Sequence, residues 1–152
     1  MNILFAPARA ITINTALFFL RMMTGMIMFV AGAGKVMGWF GGFGMEQTLV
    51  MFKTGMNIDP FWVYVSCYTE FLGGALLMLG FLTRPAALFV FINMLVAVII
   101  HGTDKFFMGG GAYPSLIMIC ALVLLLCGAG AWSVDGLVRS SKLKVQSQRL
   151  RG

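Results

Sequence analysis

Four long apolar stretches dominate the chain and predict four transmembrane helices. The predicted helices cover residues 11–37, 61–81, 85–101 and 113–132. About 20 apolar residues in a helix span the roughly 30 Å of hydrocarbon in a bilayer. Because backbone groups in lipid must find hydrogen-bond partners within their own segment, we expect helices and not strands. Residues 1–136 then form one transmembrane domain, and residues 137–152 form a basic tail.

The segment between the first two predicted helices has a different pattern. Met45, Leu49, Phe52 and Met56 recur at helical spacing, with polar residues between them. This spacing predicts a short amphipathic helix at the membrane surface, where it would cover one end of the bundle. The predicted fold class is therefore all-α, an integral membrane four-helix bundle with an amphipathic interfacial helix after helix 1.

Composition agrees with this membrane assignment, and the positive charges predict its orientation. With 60% hydrophobic and 11% charged residues, the chain has more apolar surface than a soluble domain of 152 residues can bury. Seven cations flank the side that holds both termini, namely Arg9, Arg84, Arg139, Lys142, Lys144, Arg149 and Arg151. Three cations flank the other side, namely Lys35, Lys53 and Lys105. The excess predicts cytoplasmic termini, and the basic tail suits anionic lipid headgroups.

One acidic residue interrupts the second predicted helix near its middle. Glu70 would lie deep in the hydrocarbon, where an unpaired carboxylate needs a partner or a proton. On helix 1, Arg21 and Lys35 share one face with two glycines, which indicates that this face looks into the bundle. We therefore predict that Arg21 pairs with Glu70, and that Asn93 of helix 3 is the third member of the network.

This polar group has two interpretations. It is either an ion pair that fixes the register of the helices, or a pocket for a quinone headgroup or a small anion, or for proton relay. Lys35 and His101 would add positive potential at one end of such a pocket. Lysines at helix ends ordinarily reach lipid phosphates, however, and an interfacial histidine ordinarily makes one hydrogen bond. The candidate ligand-binding residues are Arg21, Lys35, Glu70, Asn93 and His101.

The residue inventory predicts no redox centre within the chain. One histidine cannot supply bis-His haem ligation, and three cysteines without a CxxC spacing fit neither a dithiol centre nor an iron–sulfur cluster. No phosphate loop, dinucleotide fingerprint or nucleophile elbow is present. We expect no metal site, no intrinsic cofactor and no identifiable catalytic residue, so that any redox role would use a bound quinone or a partner subunit.

Several motifs together resemble the DoxX family of small bacterial inner-membrane proteins. They are Gly32-Ala33-Gly34-Lys35 leading into Phe40-Gly41-Gly42-Phe43-Gly44, Glu70 ahead of Gly73-Gly74, Leu79-Gly80-Phe81-Leu82-Thr83-Arg84-Pro85, His101, Gly109-Gly110-Gly111-Ala112-Tyr113-Pro114 and Ser133-Val134-Asp135. The resemblance covers nearly the whole chain. It implies a four-helix protein of the bacterial inner membrane, related to the DoxD subunit of a thiosulfate:quinone oxidoreductase.

The function expected from these observations is that of an accessory or quinone-interacting subunit of a membrane oxidoreductase complex. Its expected partners are the lipid bilayer and other subunits of that complex, with no nucleic acid among them. Two alternatives stay open, a small-solute carrier or permeation protein and a purely structural or assembly subunit. A carrier would need a water-filled path between the two surfaces, whereas a structural subunit would need no ligand.

Overall fold

The computed structural model describes residues 10–101 and 110–149, and within them the chain forms six α-helices. These are α1 (Ala10–Met37), α2 (Gly44–Met56), α3 (Pro60–Leu79), α4 (Thr83–His101), α5 (Ala112–Cys127) and α6 (Val134–Arg149), with a 3-10 turn at Trp39–Gly41. Helices α1, α3 and α4 are long and apolar enough to cross a membrane, and α5 is a shorter apolar helix. The predicted all-α membrane fold, with an interfacial helix after the first, is confirmed.

The fourth predicted helix, residues 113–132, ends earlier than expected. Helix α5 stops at Cys127 because Gly128 and Gly130 adopt φ values of 78° and 73°. An α-helix needs φ near −60° at every position, so the chain cannot continue as a helix through these glycines. The helix was predicted to continue over residues 128–132 because the apolar pattern continues past these glycines, and that part of the prediction was wrong. The other three predicted helices end within two residues of the observed bounds.

Helices α1 and α3 pack backbone to backbone through glycines. A Cβ atom added to Gly25 would lie 2.8 Å from the carbonyl oxygen of Gly74, and one added to Gly32 would lie 2.8 Å from the carbonyl carbon of Glu70. Such small residues let helices approach closely in lipid, where no hydrophobic force draws helices together. The small inward face predicted for helix 1 is confirmed, and these contacts fix the register of the antiparallel pair.

Helices α3 and α4 form a second, looser contact. Gly73 of α3 faces Val90 of α4, and an added Cβ would lie 2.9 Å from Val90 Cγ2. From this contact towards the α3–α4 turn, the interior is filled by fully buried apolar residues such as Leu77, Ala87 and Leu124. We call this half of the bundle the Arg21 end, and the opposite half, which carries α2, the Lys35 end.

Helix α2 covers the Lys35 end as the sequence predicts. Its buried side includes Thr48, with Phe52 partly buried beside it, whereas Glu46 and Gln47 are exposed. An amphipathic helix with this pattern lies flat on the bundle and turns its polar side outward. The positive φ of Gly44 at its start and of Asn57 after its end sets the sharp changes in chain direction there.

At the Arg21 end, helix α6 is fastened to the α3–α4 turn. The carboxylate of Asp135 accepts hydrogen bonds from the backbone N–H of Leu82 at 3.0 Å and of Thr83 at 2.9 Å. The backbone N–H of Asp135 donates to the carbonyl of Gly80 at 3.0 Å. Helix α6 runs from Val134 to Arg149. It therefore crosses the predicted domain boundary after residue 136, and the segment predicted as a tail is helical through Arg149.

The glycine packing makes a direct prediction about stability. Replacing Gly32→Ala should destabilise the protein by about 2 kcal/mol, because the new methyl group meets the backbone of α3 and not a movable side chain. The measurement is unfolding in detergent. Gly55→Ala in α2 is the matched control, since a Cβ there meets nothing within 4 Å, and it should leave stability unchanged or raise it by up to about 1 kcal/mol. Equal stability of the two variants would contradict the packing.

Candidate functional site

The buried charge in the middle of α3 is neutralised by the last turn of α1. Both carboxylate oxygens of Glu70 accept hydrogen bonds from Lys35 Nζ, at 2.7 and 2.6 Å. The Glu70 side chain is only 6% exposed, and that of Lys35 is 33% exposed. Lys35 lies about one turn past Gly32, which is level with Glu70. Because helical side chains lean towards the N-terminus of their helix, the lysine arm returns to that level.

The predicted pairing of Arg21 with Glu70 is wrong. Arg21 packs against Gly80, which lies ten residues beyond Glu70 on the chain and so about 15 Å further along the axis of α3. Its Nη2 donates to the carbonyl of Trp132 at 2.8 Å, and its guanidinium lies 5.7 Å from the centre of the Phe18 ring. The glycine contacts place Arg21 level with the α3–α4 turn, too far for even an arginine to reach Glu70.

A cavity of about 600 Å³ opens between α3 and α4, on the Lys35 side of the Gly73–Val90 contact. Its polar wall brings together Lys35, Glu70 and Asn93. Helix α2 closes part of it with Phe52 and Met56, and the start of α5 adds Tyr113 and Pro114. The remaining wall is mostly apolar. Three of the five predicted site residues therefore share one cavity, on three different helices.

Asn93 is an incompletely satisfied member of this wall. Its amide nitrogen, Nδ2, is buried and makes no hydrogen bond to any part of the chain that the structure describes. A buried donor without a partner costs about 1–3 kcal/mol. The predicted network of Arg21, Glu70 and Asn93 is therefore not formed, because Asn93 faces the same cavity as Glu70 without bonding to it and Arg21 lies at the opposite end of the bundle. A ligand with a hydrogen-bond acceptor would satisfy this nitrogen.

The two other predicted residues, Arg21 and His101, have different outcomes. Arg21 lies at the opposite end of the bundle and does not line the cavity. The side chain of His101 is outside the described part of the structure, so its role stays a prediction. Sequence reasoning did not select Trp62, Thr69 or Tyr113, which also line the cavity. The sequence signal that could have identified Thr69 was its position next to Glu70.

The charges of the wall determine which ligands it can accept. Lys35 neutralises Glu70, so the wall carries no net charge among its described residues. An ammonium has three hydrogens, and the two bonds to Glu70 leave one for a ligand. Together with Asn93 Nδ2, this gives two donors beside an apolar space. Within residues 10–101 and 110–149, no three His, Cys, Asp or Glu side chains are grouped so that they could hold a metal ion.

Comparison with known proteins agrees with the resemblance. Residues 16–103 match the family model described as DoxX. The chain belongs to the DoxX family. Among curated proteins, this DoxX chain is 29% identical over 123 residues to "Putative oxidoreductase CatD" of Bacillus subtilis (strain 168), covering 81% of the chain and 87% of that relative. It is 28% identical over 121 residues to "Inner membrane protein YqjF" of Escherichia coli (strain K12), covering 78% and 88%. No solved structure matches the chain.

The ion pair is testable by a double-mutant cycle. Glu70→Gln or Lys35→Met alone should lower stability by about 2 to 3 kcal/mol, because each leaves one charged partner unpaired in an apolar setting. The two together should cost less than the sum of the single changes, as measured by unfolding in detergent.

The matched control combines Glu70→Gln with Arg21→Met. Because Arg21 and Glu70 are separated by about 15 Å along the helices, the effects of these two changes should add. Coupling of Glu70 to Arg21 without coupling to Lys35 would show that the helix register is wrong.

Proposed function

We propose that this DoxX protein binds a quinone in the α3–α4 cavity and serves as an accessory subunit of a membrane oxidoreductase complex. The observation that supports the proposal is that two hydrogen-bond donors, Lys35 Nζ and Asn93 Nδ2, lie in the wall of a mostly apolar cavity. A quinone has the complementary chemistry, since its ring carbonyls accept hydrogen bonds and its ring and chain are apolar. We place the protein in the bacterial inner membrane with both termini in the cytoplasm.

Charge supports a neutral ligand over an anion. An isolated lysine in this position would attract carboxylates or phosphates, but the Lys35–Glu70 pair has no net charge. A free anion would have to leave water and then compete with Glu70 for the ammonium, at a large desolvation cost. A neutral carbonyl compound pays no such cost and still accepts from the remaining donors.

Size and depth also fit a small lipophilic ligand. A volume of about 600 Å³ lies within the range of about 300–1,000 Å³ usual for small-molecule sites. Glu70 is ten residues from the start of α3, so the polar wall lies about 15 Å from that helix end. This depth is within the hydrocarbon of a bilayer, where quinones are dissolved.

An oxidoreductase role would require a partner subunit that carries the redox centre. The printed name of one relative, "Putative oxidoreductase CatD", supports this class of complex. The turn before α2 exposes Trp39 at 52%, Phe40 at 68% and Phe43 at 64%, and we propose it as the surface that contacts the partner. The basic residues of α6 are proposed to contact anionic lipid headgroups at the opposite face.

The two alternatives receive less support. A carrier would need a water-filled path through the Arg21 end, yet the described interior there is closed to solvent: Leu77, Ala87 and Leu124 are 0% exposed, and the polar Arg21 and Thr83 are 2% and 1% exposed. A purely structural subunit would need no ligand, whereas Asn93 places an unpartnered donor in the cavity wall where a ligand could satisfy it; the other unpartnered buried atoms, on Arg21 and Thr83, do not line the cavity.

Quinone binding can be measured by the fluorescence of Trp62, which lines the cavity. Trp39→Phe and Trp132→Phe leave Trp62 as the one remaining tryptophan of the three. Titration of the protein in lipid nanodiscs with a short-chain ubiquinone analogue should give saturable quenching. A chain that keeps Trp132 alone reports nonspecific quenching, because that residue lies at the Arg21 end.

Asn93→Leu in the Trp62 reporter should weaken quinone binding about tenfold, which corresponds to about 1.4 kcal/mol, without lowering stability. Leucine has a similar volume and removes the unpartnered donor. Gln47→Leu, on the exposed side of α2, is the control and should leave the affinity unchanged. Failure of the unaltered Trp62 reporter to show saturable quenching would overturn the proposed function in favour of a structural role.

A further inference from the structure

The cavity is open along one side, between α3 and α4. Residues that line it on this side are also exposed on the outside of the bundle. Val65 of α3 is 42% exposed, and Phe89, Ile92 and Val96 of α4 are 61%, 47% and 47% exposed. We call this opening the portal. Every one of these residues is apolar, so the portal faces hydrocarbon and not water.

The cavity changes character from the portal inwards. On α3, the lining runs around the helix from Val65 through Thr69 to the buried Glu70, and on α4 from Ile92 to Asn93. The polar groups therefore lie at the back and the apolar groups at the opening. A ligand with one polar end and one apolar chain matches this order when its polar end enters first.

Described residues cover part of each end of the cavity. Towards the Arg21 end, Gly73 packs on Val90 and the buried core begins. Towards the Lys35 end, Phe52 and Met56 of α2 lie across the cavity. The side opening therefore gives a route from the bilayer to the Lys35–Glu70 pair.

We propose that the ligand enters sideways from the bilayer through the portal, and that its chain stays in the portal while its head reaches Lys35 and Asn93. This inference rests on the proposed function and adds the route and the shape of the ligand. Under this proposal, Val65 and Ile92 contact the apolar chain of the ligand and contribute to its affinity. Ligands with a long apolar chain gain contacts in the portal, whereas a head group without a chain contacts only the back of the cavity.

The test narrows the portal and compares two quinones. Val65→Phe together with Ile92→Phe, in the Trp62 reporter, fills the opening without touching the polar wall. Leu116→Phe together with Ile119→Phe is the matched control, because both side chains are exposed on α5, at 64% and 52%, and neither lines the cavity. Each protein, in nanodiscs, is titrated with a decyl-chain benzoquinone and with a benzoquinone that carries only methyl groups.

The portal variant should bind the decyl quinone at least tenfold more weakly than the control, with the affinity for the methyl quinone changed less than twofold. Equal affinity of the variant and the control for the decyl quinone would overturn the portal and leave the proposed function intact. An equal loss for both quinones would also overturn it, because the chain would then have no separate binding region. Binding of neither quinone by the unaltered reporter would overturn the proposed function and this inference together.

Discussion

The close contact between α1 and α3 determines most of what the site looks like. Gly25 and Gly32 let two backbones meet with no side chain between them, so the register of the pair has almost no freedom. That register places Lys35, and not Arg21, within reach of Glu70. It also leaves the guanidinium of Arg21 at the α3–α4 turn, where it bonds to the chain just before α6. The glycine contacts between α1 and α3 thus determine the partners of both Lys35 and Arg21.

The contacts of α3 with α1 and with α4 have different roles. Its contact with α1 is tight and made of backbone, whereas its contact with α4 is made of side chains and separates beyond Gly73. The ion pair lies at the boundary between them, since Glu70 belongs to α3 and Lys35 reaches it from α1. The tight α1–α3 contact thus holds the charge pair in place. The looser α3–α4 contact leaves the cavity that the pair faces. This arrangement explains how a polar wall persists inside an apolar bundle.

The apolar pattern was sufficient to predict the fold class, the amphipathic α2 and the inward small face of α1. It was not sufficient to predict the pairing of Arg21 and Glu70, because periodicity gives the face of a helix but not its axial offset against a neighbour. The end of α5 was misplaced for a related reason, since φ at Gly128 is a backbone property that hydropathy does not contain. Asn93 was expected to join a network with Arg21 and Glu70; it lines the same cavity as Glu70 but forms no such network, because whether a buried amide finds a partner depends on all its neighbours at once.

The separation of the two contacts of α3 has a consequence for how such proteins diversify. Substitutions at the α1–α3 glycines change the register of the whole helix pair, so they affect folding before they affect function. Substitutions at Ile92 or Val65 change the cavity lining and the exposed surface beside it, and leave the register alone. Under the proposed function, selection would therefore exchange one hydrophobic metabolite for another while the scaffold is inherited unchanged.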